Sequence, residues 1–111
     1  MHWIRKNLHK KIDTTQIRIK MTRDSVCAAD DCHAPHEKNI STPTFLDPVA
    51  LTSHLSACYL PSVNGVGHTW DCVLNGKVIA TVSVDTIKAK SQEVVYAENN
   101  YVHFVYHSAT Y

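Results

Sequence analysis

The period of hydrophobic and polar positions changes repeatedly along this chain. Trp3, Ile4, Leu8 and Ile12 recur near helical spacing, with Arg5, Lys6 and Lys10 off that stripe. This predicts a short amphipathic helix, an N-terminal arm within residues 1–13. Ile17, Ile19 and Met21 then alternate with Arg18, Lys20 and Thr22, the period of a half-buried strand whose outward face is basic. Residues 24–37 show no period and read as a polar loop, with a short strand at 38–42.

Helix signals converge next, over residues 47–60. Asp47 suits an N-cap, because its carboxylate can accept a backbone N–H at the positive end of the helix dipole. Pro48 fits the first turn, where its missing N–H is not needed, and Leu46 and Leu51 stand at hydrophobic-staple spacing. Leu51, Leu55, Cys58 and Tyr59 form one apolar stripe until Pro61 stops the helix.

From residue 69 the pattern becomes that of a sheet. Strands at 69–74 and 77–85 flank Asn75-Gly76, a pair that accepts the positive φ angles of a tight hairpin. Alternation predicts Val78, Ala80, Val82 and Val84 facing the core, with Ile79, Thr81 and Ser83 outward. A second hairpin is predicted from 93–97 to 101–106 through Glu98-Asn99-Asn100. In its last strand Val102, Phe104 and Tyr106 share one face; Tyr101, His103, Val105 and His107 share the other. Both faces are rich in large groups, so the second is expected to meet the N-terminal helix or another molecule.

The assembled expectation is an α+β single domain over residues 1–111. It is an antiparallel sheet of four to six strands with one helix across a face, an order compatible with a β-grasp-like arrangement. At 111 residues the chain is too short for a TIM barrel or a full dinucleotide-binding fold. No stretch approaches the roughly 20 apolar residues that cross a bilayer, and residues 1–23 lack the apolar core of a signal peptide. The default expectation is therefore a cytoplasmic protein with no membrane partner, its cysteines reduced. Asn39-Ile40-Ser41 would matter as a glycan acceptor only in a secretory protein.

Charge sharpens this picture. The formal net charge is only +1, but residues 1–23 carry seven basic side chains against one acid, +6, and residues 24–111 carry −5. Such a split marks either a basic arm for nucleic acid or a segment that complements the acidic body of its own fold.

Eight histidines and four cysteines supply the candidate chemistry. Cys27, Cys32, His33 and His36 offer four soft-to-borderline donors within one loop, the residue types that hold zinc. Their spacing is looser than a finger, and His33 directly beside Cys32 makes joint ligation awkward, so a plain polar loop is the simpler reading. The same loop offers a thiol–histidine hydrolytic set, Cys27 with His33 or His36 oriented by Asp24, Asp30 or Asp31. Nothing in the spacing requires it, and the balance falls against an enzyme. Cys58 and Cys72 read as core thiols. Asn64-Gly65-Val66-Gly67 lacks the context of a phosphate loop and reads as a turn.

The expected function is that of a small cytosolic protein-binding module of inhibitor, immunity or adaptor type, acting through a sheet face or edge without a cofactor. Its expected contact residues are Arg18, Lys20, Arg23, Tyr101, His103, His107 and Tyr111. A homodimer through the C-terminal strand is a second expectation. Nucleic-acid binding by the basic N-terminal strand, and a metal or hydrolytic protein using the 24–37 loop, are the alternatives.

Overall fold

A computed structural model describes residues 13–27, 29–57, 59–61 and 67–108. The predicted N-terminal helix, Cys58, the 64–66 part of the glycine turn and Tyr111 lie outside the described residues.

Six strands and one helix make an α+β domain: β1 Asp13–Arg23, β2 Lys38–Thr44, α1 Pro48–Ala57, β3 Thr69–Leu74, β4 Lys77–Val82, β5 Ile87–Ala89 and β6 Asn100–His107. They form one sheet in the order β2-β1-β6-β3-β4-β5. A first hairpin, a helix, then a last strand at the sheet centre is the β-grasp-like arrangement expected from element order. The sheet is mixed rather than antiparallel, because β6 runs parallel to β1, Ile19 opposite Asn100 and Met21 opposite Val102. Two antiparallel units, β1–β2 and β3–β4–β5, are joined by that one parallel seam.

The core lies between α1 and one face of the sheet. Ile19, Met21, Trp70, Cys72, Leu74, Val102 and Phe104 face it from the strands, and Leu51 and Leu55 from the helix. Alternation in β1 and β6 thus places side chains as predicted, and β3 alternates likewise with Trp70, Cys72 and Leu74 inward. The helix begins where expected, with the Ala50 amide donating to Asp47 Oδ2 at 2.9 Å. The staple residue Leu46 is 55% exposed, and it is Phe45 that turns back, its ring 5.2 Å from that of His54. No helix of the described residues is long and apolar enough to cross a membrane.

The C-terminal half departs from the prediction in three ways. β4 carries a β-bulge: Cys72 pairs Ala80 and Val73 pairs Val78, leaving Ile79 as the extra residue. A bulge resets alternation, so Ile79 and Ala80 are both buried while Val78 turns outward. Val84 is 73% exposed because β4 has already ended, and the Ser83 amide donates to Thr86 O at 2.8 Å in a tight turn. Residues 93–97 are no strand. The edge is taken by β5, and Asn100 organises the approach to β6 by accepting from the Ala97 amide at 2.8 Å and donating to its carbonyl at 3.1 Å. Finally, β6 lies at the sheet centre between β1 and β3, so edge-to-edge dimerisation through it has no free edge to use.

Candidate interaction face

The helix covers one face of the sheet; the opposite face collects most of the predicted contact residues. Register sets Lys20 beside Tyr101 and Thr22 beside His103, with Arg18 one step further along β1. On the other flank of β6, Val73 stands beside His103, Asp71 beside Val105 and Thr69 beside His107. Arg18, Lys20, Tyr101, His103 and His107, remote in sequence, therefore share one surface. Tyr101 is 56% exposed on it.

Two histidine–carboxylate pairs brace this surface. His103 Nε2 lies 2.9 Å from Asp24 Oδ1, and Thr22 Oγ1 lies 2.7 Å from His103 Nδ1. With Nε2–H donated to the carboxylate, Nδ1 is left to accept the threonine hydroxyl. The other Asp24 oxygen accepts the Tyr106 amide at 2.9 Å, closing the β6 edge just beyond the end of β1. Burial acts to raise the Asp24 carboxyl, but the Tyr106 amide and His103 outweigh it and hold the group below its ordinary value. In the second pair His107 Nε2 sits 2.9 Å from Asp71 Oδ2, while Thr81 donates to Asp71 Oδ1 at 2.7 Å. A carboxylate–imidazole–hydroxyl line is the arrangement acyl-transfer sites use. Here the His103 and Asp24 side chains are 40% and 41% exposed on an open sheet, so the line fits a surface brace better than an enclosed reaction centre.

Arg23 belongs elsewhere. Its guanidinium grips Asp30 in two bonds of 2.7 and 3.0 Å, with a side chain only 10% exposed, and is not available to a partner. The pair folds the 24–37 loop back on the sheet. Asp30 also accepts the Val26 amide at 3.0 Å, and the Arg23 guanidinium holds its carboxyl well below the usual range. Residues Asp30–His33 form a single 3-10 turn.

The four candidate metal ligands are not gathered by this loop. Cys27 and Cys32 are exposed free thiols, and His33 is exposed. His36 is turned inward, its Nε2 3.0 Å from Ser25 Oγ and 3.6 Å from Asp30 Oδ2, while its carbonyl accepts the Tyr59 hydroxyl. Among the described residues no group of three or more His, Cys, Asp or Glu side chains stands together as a metal site.

A groove of about 480 Å³ opens at the lower end of the same face, where β6 begins short of β1. Arg18, Lys20, Asn39 and Tyr101 line it together with Glu98 and Asn99. Sequence reading found the cations and the tyrosine but missed Thr22, Asp71 and Thr81. It did single out Asp24, but as a partner for the loop histidines rather than for His103. No local spacing links these residues, since 79 positions separate Asp24 from His103 and only the parallel seam joins them.

The fold and this surface together define a small α+β domain whose mixed sheet has one packed and one open polar face. Comparison with protein-family models, with curated proteins and with solved structures finds no match to this chain.

Proposed function

We propose that this protein is a small protein-binding module and that the open face of its sheet is the contact surface. The observation that carries this reading is the composition of that face. Tyr101, His103 and His107 stand with Val73, Val78 and Val105 inside a rim of Arg18, Lys20 and Lys88, and no other element of the described residues packs over them. An amphipathic aromatic and aliphatic centre within a charged rim is how protein interfaces are built.

The nucleic-acid alternative draws less support, because its cations are committed within the fold. Arg23 is held by Asp30, and Lys20 lies 3.1 Å from Glu37. Asp24 and Asp71 add negative charge beside the histidines. Phosphate binding needs several uncommitted cations, and of Arg18, Lys20 and Arg23, the cations of the basic N-terminal strand, only Arg18 makes no ion pair among the described residues.

Affinity capture from the source cell, compared across face variants, tests the proposal. We expect Val105→Lys to lose a partner that wild type and the helix-surface control Ser53→Glu both retain, with roughly a tenfold or greater loss of affinity for a residue near the centre. Equal capture by all three proteins overturns the reading. So does tight RNA binding at low salt that falls steeply as salt rises.

A further inference from the structure

We infer that the groove at the foot of β6 receives an extended segment of a partner protein, added as a strand beside β1, with a carboxylate placed opposite Arg18. This rests on the reading of the open face as a protein-contact surface, and it names where the contact is anchored and by what chemistry.

The parallel seam is the starting point. β6 pairs with β1 only from Ile19 onward, opposite Asn100, whereas β1 continues backward to Asp13. Below Ile19 that stretch is paired with β2 on one side, Gln16 opposite Pro43 and Ile17 opposite Thr42. On its other side no strand of the described residues takes it up. The two ends of the seam are thus treated differently. At the upper end, where β6 outruns β1, Asp24 accepts the Tyr106 amide and seals the edge. At the lower end, where β1 outruns β6, there is a groove.

The outer edges of the sheet do not offer the same opportunity. β2 carries Lys38 and Pro43, a cation and a residue that cannot donate to a ladder, and β5 is three residues long. Both are common ways of blunting an edge. The stretch Gln16–Arg18 carries no proline and belongs to a strand of eleven residues, and its one cation is the group offered to an incoming carboxylate; three such residues correspond to roughly 10 Å of extended chain.

Charge selects the occupant. Arg18 is exposed and makes no ion pair among the described residues, and Lys20 beside it shares only Glu37 at 3.1 Å. Glu98 is the one acid in the groove lining, from the segment that leads into β6 rather than from β1. The side-chain amides of Gln16, Asn39 and Asn99 supply both donors and acceptors for an incoming backbone, and Tyr101 gives an exposed ring at the groove mouth. Strand addition draws affinity from main-chain hydrogen bonds and specificity from the facing side chains. A carboxylate directly across from Arg18 is the favourable cross-strand partner.

The test is a titration of the ¹⁵N-labelled full chain with acetyl-Thr-Val-Glu-Val-Thr-amide, followed by amide shifts. The same peptide with Lys in place of Glu, and a form N-methylated on alternate amides, serve as comparisons. We expect shifts concentrated at Gln16, Ile17 and Arg18 and at Glu98, Asn99 and Tyr101. The Lys peptide should bind about fivefold more weakly, and N-methylation should abolish binding. Arg18→Glu, at an exposed site with no ion pair to lose, should keep the wild-type melting temperature and reverse the preference toward the Lys peptide. No shifts at millimolar peptide, equal binding of the N-methylated form, or an unchanged charge preference in Arg18→Glu each overturn the inference. An RNA oligonucleotide that displaces the peptide in a steeply salt-dependent way also overturns it. If Val105→Lys abolishes cellular partner capture while Arg18→Glu has no effect, the groove proposal fails and the face reading stands. If neither variant changes capture, the face reading itself fails.

Discussion

Cys72 and Cys27 show how far one residue type can diverge within a chain. Cys72 is fully buried on β3, and burial pushes its thiol up to about 11. The Thr52 hydroxyl is itself buried and has no hydrogen-bond partner among the described residues. Cys27 and Cys32 are exposed. Iodoacetamide at about pH 8, read by peptide mass spectrometry, should alkylate Cys27 and Cys32 readily and leave Cys72 unmodified until the protein is unfolded in urea. Modification of Cys72 at the rate of the loop thiols would contradict the core described above. Cys72 read as a core thiol in the sequence because small apolar thiols are commonly buried, and its alternation with Trp70 and Leu74 in β3 is what puts it there. It could not show that Cys27, Cys32 and His33 would remain apart from His36, because in a loop without a period only tertiary contacts fix direction. Here the Arg23–Asp30 pair and the inward turn of His36 fix it.

At the level of elements, local rules held where a turn residue or a cap determined geometry. Asn75 and Gly76 adopt φ of 48° and 86°, as the Asn-Gly signal required. A Cβ at Gly76 would meet no atom within 4 Å, so Gly76→Ala tests backbone conformation alone. We expect a loss of roughly 1–2 kcal/mol in urea unfolding, the cost of left-handed backbone for an L-residue. A loss of less than a few tenths would mean that the turn relaxes. Legibility stopped one residue beyond that turn. Nothing in Lys77–Val82 announces a bulge, yet the single extra residue turns Ile79 inward and Val78 outward, while Ala80 and Val82 keep the predicted face. Strand 93–97 failed for a related reason. Asn100 caps Ala97 with its side chain, and both sides of β6, the strand this segment was expected to pair with, are taken by β1 and β3.

Across the whole molecule, part of the +6 carried by residues 1–23 is met within the fold. β1 brings the basic segment into the sheet, where Lys20 meets Glu37 and Arg23 meets Asp30. This has a consequence for acid stability. Asp24 and Asp30 both have folded-state carboxyls held below their ordinary value, which is about 3.9 in an unfolded chain. Groups of this kind contribute stability that is fully present above that value and is lost as pH falls through the folded-state value. Thermal melts should therefore be flat from about pH 7 to pH 5 and decline below about pH 4. Asp30→Asn should melt lower than wild type at neutral pH and show a shallower acid decline. Parallel curves for the two proteins would show that Asp30 is not a source of the acid sensitivity.

The placement of β6 bears on how this domain comes to exist at all. The β1–β2 hairpin and the β3–β4–β5 meander each close through neighbours in sequence, but neither touches the other except through a strand that follows both. The seam that unites them joins Ile19 to Asn100, across most of the chain. Contacts of such separation must overcome chain entropy before they are rewarded, which places folding toward the slow, millisecond-to-second end for a domain of this size. Until that closure two half-sheets wait with their central edges bare, and the interval before the last strand docks is when this protein is most exposed to pairing with the wrong chain.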